Sequence, residues 1–168
     1  MEGRGRRAGR ALVVFWVLLG LAAAARADMS GRVVAVADGD TLTVLVGTEQ
    51  VRVRLAGIDC PERRQPFGRK AKEFASRLAF GQVVRVRGED RDRYGRVVGE
   101  VILPDGRSLN RELVSAGLAW WYRRYAPDDA DLARREAEAR AARRGLWADA
   151  APVPPWEYRR SRRRTGRG

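Results

Sequence analysis

The sequence predicts an α+β fold: a five-stranded barrel with one helix between its third and fourth strands and two helices after the fifth. Three observations carry this. Short runs that alternate apolar and polar residues recur five times between positions 30 and 103, separated by turn-forming residues. The period changes once within that span, over 67–80, to the three-and-four spacing of a helix. Beyond position 103 two stretches with helical caps and glycine stops replace the alternation.

In chain order, residues 30–37 alternate weakly and end at Asp38-Gly39-Asp40, a strong turn signal. Thr41–Val46 is a second strand, and Gly47 opens the next turn. The third strand is expected over 50–58, where Val51, Val53 and Leu55 alternate with Arg52 and Arg54. In 67–80, Ala71, Phe74, Ala75, Leu78 and Ala79 form one helical face, and Gly81 closes it. Val83–Arg87 and 97–103 return to strand alternation around a charged connector at 90–95, and Pro104-Asp105-Gly106 turns the chain again. Ser108 or Asn110 can cap a short helix that runs to Ala116. An aromatic, basic stretch follows (Trp120, Trp121, Tyr122, Tyr125). The last helix begins at Pro127-Asp128-Asp129, carries Leu132, Ala139 and Ala142 on a thin apolar stripe, and stops at Gly145. Five strands with a helix after the third match the order of an OB-type barrel. Fold alone does not establish function.

The 168 residues suffice for one domain with short extensions. A net charge of +13 points to an anionic partner. The chain has no histidine and one cysteine, Cys60. That excludes the common zinc sites, a Ser-His-Asp triad and an internal disulfide, so any catalysis rests on carboxylates and arginines. Arg4, Arg6, Arg7 and Arg10 precede an apolar run over 11–25 that ends in Ala25-Arg26-Ala27. This is the pattern of a signal peptide cleaved after Ala27, and the run is shorter than the ~20 residues that span a bilayer. The expected organisation is a signal peptide (1–27), a catalytic barrel domain (28–150) and a Pro/Arg-rich basic tail (151–168), read as disordered. An uncleaved membrane anchor is the alternative for 1–27.

Candidate chemistry concentrates at 54–62. Arg54 points away from the Val/Leu face of its strand, Gly57 allows a bend, and Pro61 ends pairing. The turn so mounted carries Arg54, Asp59 and Glu62, a set suited to phosphoryl chemistry: an acid for a metal, an acid for water, a cation for phosphate. Alone, the three also describe a surface ion-pair cluster. Likewise Asp38-Gly39-Asp40-Thr41 alone is a surface turn, and Asp92-Arg93-Tyr94-Gly95-Arg96 alone a connector. In this order on matching elements, the three motifs are far more specific.

Together they resemble the thermonuclease family of staphylococcal-nuclease-like domains, over 31–147. The resemblance implies an OB-type barrel with a Ca²⁺-dependent phosphodiesterase activity on DNA and RNA that breaks the P–O5′ bond and leaves 3′-phosphate ends. By position, Asp40, Asp59 and the Cys60 backbone carbonyl would hold Ca²⁺, with Asp38 in its outer shell. Glu62 would be the general base, and Arg54 and Arg96 would grip the phosphate. Arg93 and Tyr94 fall where the family contacts a terminal phosphate, and Tyr125 matches one of two base-packing tyrosines. Arg123 stands at the other, a departure from the pattern. An oxygen-only donor set suits calcium on chemical grounds as well.

The resulting expectation is a secreted or periplasmic, monomeric nuclease that prefers single-stranded DNA or RNA. Its rival is a non-catalytic OB module that binds single strands by charge and stacking. A pure binder has no need of acids facing a polyanion. Trp120 and Tyr122 are expected in the core and Tyr125 at the surface. The Arg159–Arg164 run either clamps nucleic acid or forms a solvated tail; in both readings it lies outside the motif-bearing domain and is expected to aid affinity without touching the chemistry.

Overall fold

The computed structural model describes residues 28–88 and 90–165. The expected signal peptide, 1–27, lies outside these residues. In chain order the elements are β1 (Met29–Asp38), β2 (Thr41–Val46), β3 (Glu49–Leu55), β4 (Ile58–Asp59), α1 (Gly68–Ala79), β5 (Val83–Arg87) and β6 (Val97–Ile102). There follow α2 (Leu109–Ser115), β7 (Trp120–Trp121), α3 (Ala130–Ala141), a 3₁₀ turn (Gly145–Ala148) and α4 (Pro155–Thr165).

The five long strands close into a barrel in the order β1-β2-β3-β6-β5, with β5 returning to β1. All pairings are antiparallel except β3 with β6. Alternation sets the register: Leu42 lies opposite Val53 and Val44 opposite Val51, which puts all four inside the barrel. Arg52 and Arg54 fall on the other face. Helix α1 covers the barrel with Ala71, Ala75 and Ala79, all fully buried. These small side chains let the helix sit close, while Phe74 and Leu78 pack at its margins.

The third strand departs from the expected 50–58. It ends at Leu55, and Gly57 takes a positive φ of 72°, a left-handed conformation that glycine adopts without a Cβ penalty. The chain bends there and Ile58–Asp59 leaves the barrel. It pairs instead with β7, Asp59 opposite Trp120 and Ile58 opposite Trp121. The partner strand lies some sixty residues downstream, so local alternation cannot reveal the break.

Two polar side chains fix the helices to this frame. Ser108, one of the two expected caps, accepts the Arg111 amide at the start of α2. Asn110 is buried in the first turn of the helix. Its Oδ1 accepts the Val101 amide (3.1 Å), and its Nδ2 donates to the carbonyls of Ala56 (2.9 Å) and Gly99 (3.3 Å). It thus ties α2 to β6 and to the chain just before the Gly57 bend. On α3, Asp129 caps the helix through the Leu132 amide. Glu136 interrupts the expected apolar stripe: it is buried and accepts the Trp121 amide at 3.1 Å.

The segment expected as a disordered tail is helical over Pro155–Thr165. Trp156 anchors it, stacked nearly parallel on Tyr122 (centroids 5.0 Å apart) and edge-on to Trp120 at 5.6 Å. Gln65 also donates to the Val153 carbonyl just before the helix. Composition marks the segment as polar, but one tryptophan docking on a distant aromatic pair supplies the apolar contact that orders it.

Although the Gly99 carbonyl keeps the Ala56 amide, Asn110→Ala strips the Val101 amide and the Ala56 carbonyl of their Asn110 partner. It is expected to cost ~2–3 kcal/mol of stability, since each stranded buried group forfeits its solvation. Urea unfolding of the two proteins checks this.

Candidate active site

Arg54 is the centre of the site. It stands at the end of β3, opposite Thr41 of β2 and Val98 of β6. Its Nη1 pairs with Asp40 Oδ2 at 2.9 Å and its Nη2 with Asp59 Oδ1 at 2.7 Å. Asp40 comes from the β1–β2 turn and Asp59 from the diverted strand β4, so three separate elements meet at one guanidinium. All three groups are largely buried; Asp59 is 1 % exposed. Burial alone would lower the pKa of Arg54, but Asp40 and Asp59 outweigh it and hold the guanidinium firmly charged. Asp40 Oδ2 also accepts the Cys60 amide at 2.6 Å, and its Oδ1 accepts from the Thr41 hydroxyl. The Cys60 thiol is buried and shifted well above its ordinary value, first by burial and then by Asp40. It stays protonated and is no nucleophile.

Glu62 follows on the same turn. Its amide donates to Gln65 Oε1 at 3.1 Å, and its carbonyl lies against Gly68, where a Cβ would approach to 2.0 Å. Only glycine at the start of α1 lets the Glu62 backbone sit there. Asp38 completes the acidic group. Its pKa is raised, chiefly by burial and then by repulsion from Asp40 and Glu62. Asp59 is raised too, by burial, against the opposing pull of Arg159 and Arg54.

Arg159, on α4, enters this cluster. Its Nη2 bonds Asp59 Oδ2 and its Nη1 bonds Glu62 Oε1, both at 2.7 Å. Burial would lower its pKa, yet the bonds to Asp59 and Glu62 raise it. This corrects the expectation that the tail arginines stay away from the chemistry. The arginine run is visible in the sequence, but the Trp156 anchor that delivers one member to the acids is not.

Among the described residues, no hydrogen bond or ion pair joins the remaining predicted site residues to Asp38, Asp40, Asp59 or Glu62. Arg96 is gripped by Asp92, Nη2 to Oδ2 at 2.6 Å, and lies over the Tyr94 ring. Burial alone would raise the Asp92 carboxyl, but the bonds from Arg96 and from the Tyr94 amide together hold it below its usual range. Arg93 also lies over the Tyr94 ring, which is 62 % exposed. Tyr125 is 69 % exposed and meets Tyr122 edge-on at 4.9 Å. Arg123, at the second expected tyrosine position, lies over the Trp121 ring instead. Trp120 is buried as expected, whereas Tyr122 is half-buried beneath Trp156.

Among the described residues no three His, Cys, Asp or Glu side chains close on one point as a ready-made cage. The donor chemistry nevertheless fits a hard cation completed by water. Asp40 and Asp59 offer oxygen only. With Asp38 beside Asp40, Asp59 and Glu62, four carboxylates gather around two guanidiniums, Arg54 and Arg159, an excess of negative charge that a divalent cation would relieve.

Comparison with known proteins finds a family and several relatives. The family described as staphylococcal nuclease homologue matches residues 52–149. An Escherichia coli protein described as an uncharacterized endonuclease is 47 % identical over 133 residues, covering 79 % of this chain and 86 % of its own. A Shigella flexneri micrococcal nuclease is 43 % identical over 154 residues, 86 % of this chain and 88 % of its own. The staphylococcal-like nuclease CAN1 of Arabidopsis thaliana is 39 % identical over 115 residues, 68 % of this chain and 35 % of its own.

Arg54→Met removes the guanidinium shared by two buried carboxylates, leaving Asp59 with Arg159 and Asp40 with the Cys60 amide and Thr41 hydroxyl, and is expected to cost ~3 kcal/mol near neutral pH. The loss should shrink on acidification. Burial already lifts the folded pKa of Asp59 above 3.8, so the folded state holds that proton more tightly than the unfolded state. The stability this gives is present at low pH and is lost as pH rises through the folded value. Without Arg54 the folded value rises further. Denaturant curves for both proteins across the acid range should therefore converge as the pH falls.

Proposed function

Because the chain belongs to the staphylococcal nuclease family and is a nucleic-acid-hydrolysing enzyme, we propose that it is an exported, monomeric, Ca²⁺-dependent nuclease that cuts DNA and RNA alike, prefers single strands and leaves 3′-phosphate ends. The observation that carries this reading is the Arg54 bridge between Asp40 and Asp59, with Glu62 on the adjoining turn. Export rests on the basic and apolar pattern of residues 1–27.

Asp40, Asp59 and the Cys60 carbonyl would hold the cation, which when bound supplies positive charge to a phosphate oxygen. Arg54 is fixed by two carboxylates before any substrate arrives. Its charge therefore needs no reorganisation as negative charge builds on the phosphate, the condition under which a single donor is worth on the order of 10²-fold or more in rate. Glu62 takes the proton of the attacking water. Arg159 engages only its Oε1, which orients the carboxylate and leaves Oε2 to accept. Arg96 joins Arg54 at the phosphate by exchanging Asp92 for the substrate. Arg93 and Tyr94, on the same loop, reach the neighbouring phosphate, and Tyr125 offers an exposed ring to a base.

A binding module without catalysis accounts less well for these residues. Buried Asp40 and Asp59 beside a polyanion weaken binding and are explained by hydrolysis.

Digestion of a single-stranded oligonucleotide, with calcium or with a chelator, tests the proposal together with two variants. Glu62→Gln keeps the shape and removes the base, so turnover should fall by about 10²–10⁴-fold while oligonucleotide affinity in chelator changes little. Asp40→Ala should shift the calcium requirement upward. Undiminished cleavage in chelator, or turnover by Glu62→Gln within a few fold of the parent, would sink this mechanism.

A further inference from the structure

Helix α4 does more than place Arg159. Residues 156, 159, 160, 163 and 164 are spaced three and four apart and so share one helix face. That face forms one wall of an open cleft of about 1140 Å³. The facing wall comes from the 120–124 stretch, with Arg93 and Arg140 contributing. The cleft is larger than the ~300–1,000 Å³ usual for a small-molecule pocket. Eight arginines line it against one carboxylate, Glu136, and that one is already bonded to the Trp121 amide and to Arg140. Aromatic rings alternate with the cations: Trp121 lies under Arg123, Tyr122 against Trp156, and Trp120 beneath Arg140.

The cleft does not stand apart from the acids. Arg159 lines it and also bonds Asp59 and Glu62. Asp59 itself pairs across the β4–β7 ribbon with Trp120 of the cleft. One end of the cleft therefore opens at the proposed scissile phosphate. Among the described residues Arg160 and Arg163 pair with no carboxylate, and both are exposed. Helix α4 also lies beyond the region matched to the family, 52–149.

We propose that α4 and the 120–124 stretch form a track for single-stranded nucleic acid, carrying several nucleotides away from the cleavage point, with Arg160 and Arg163 on backbone phosphates and Trp121 and Trp156 beside the bases. The proposal rests on the nuclease reading of the adjoining site and adds a second, remote region of contact. The chemistry selects the occupant. Cations repeated along one helix face match a chain of phosphates, and rings between them match unpaired bases, which a duplex keeps stacked inside. From Trp156 to Arg164 the helix rises about 12 Å, at 1.5 Å per residue. That accommodates roughly three nucleotides at the ~3.4 Å spacing of a stacked strand.

The test compares the parent with Arg160→Ala/Arg163→Ala, two exposed helix positions where alanine favours the fold. A control, Arg69→Ala/Arg77→Ala on α1, removes the same charge elsewhere. Binding of a 12-nucleotide oligothymidylate and of a thymidine dinucleotide is measured in chelator across a salt series, and cleavage of each in calcium. The α4 variant should lose about tenfold of the parent's affinity ratio of 12-mer to dinucleotide. Its salt slope on the 12-mer should fall by about 1.4, from two phosphate contacts at ~0.7 each. KM for the 12-mer should rise. The control should keep the parent's ratio.

An equal loss on both lengths, or the same change in the control, would reduce the effect to general charge and overturn the track. Tighter binding of a 12-base-pair duplex, or equal competition by inorganic polyphosphate of matched charge, would overturn the single-strand assignment. Faster dinucleotide cleavage by the α4 variant would show the helix to be a plug. A parent that neither binds nor cleaves any oligonucleotide would instead remove the nuclease reading, so the two failures are told apart.

Discussion

The site depends on one buried guanidinium. Arg54 holds Asp40 and Asp59 at bonding distance from two different elements, and each of the three offsets the burial of the others. Moving such charges out of water is costly, and their mutual attraction offsets the cost only with good geometry. The barrel supplies that geometry. Strand β3 ends where the β1–β2 turn and the diverted β4 both reach its last arginine. A buried ion cluster of this kind is weak evidence for stability. It is better explained by preorganisation, since carboxylates and guanidinium are in place before a phosphate arrives.

The bend at Gly57 links that centre to the rest of the chain. By leaving the barrel, Ile58–Asp59 turns a barrel strand into a ribbon with Trp120–Trp121. Asn110 holds the chain on the near side of the bend, and Glu136 holds the ribbon from α3. Each satisfies a backbone group that the break in the sheet would otherwise strand. The acidic turn is consequently braced from both halves of the molecule. Packing in the second half, around Trp120, Trp147 and Leu146, bears directly on where Asp59 sits.

The charge distribution resolves an apparent conflict. A hydrolase of nucleic acid must draw a polyanion toward a cluster of four carboxylates. The chain does so by surrounding the acids with arginines rather than by diluting them. Arg54 and Arg159 neutralise the acids at contact, and the cleft beyond is almost wholly cationic. Long-range attraction then comes from the cleft, and the acids act only at close range, where positioning matters more than net sign.

The sequence by itself determined the five barrel strands, their succession along the chain and the covering helix, because these follow from local alternation, helical spacing and turn residues that act within a few positions of one another. It also singled out Asp40, Arg54, Asp59 and Glu62, since each sits in a short motif tied to a predictable turn. The structure brings those four together and holds Arg96 with Asp92 on a separate loop. Tertiary structure alone decided the break at Gly57, the buried role of Glu136 and the order of α4. Each depends on a partner far along the chain: Trp120 for Asp59, the Trp121 amide for Glu136, Tyr122 for Trp156. Composition reads an arginine-rich terminus as unable to fold, because it lacks apolar area of its own. One tryptophan borrowing a distant aromatic surface reverses that balance and carries Arg159 to the acids.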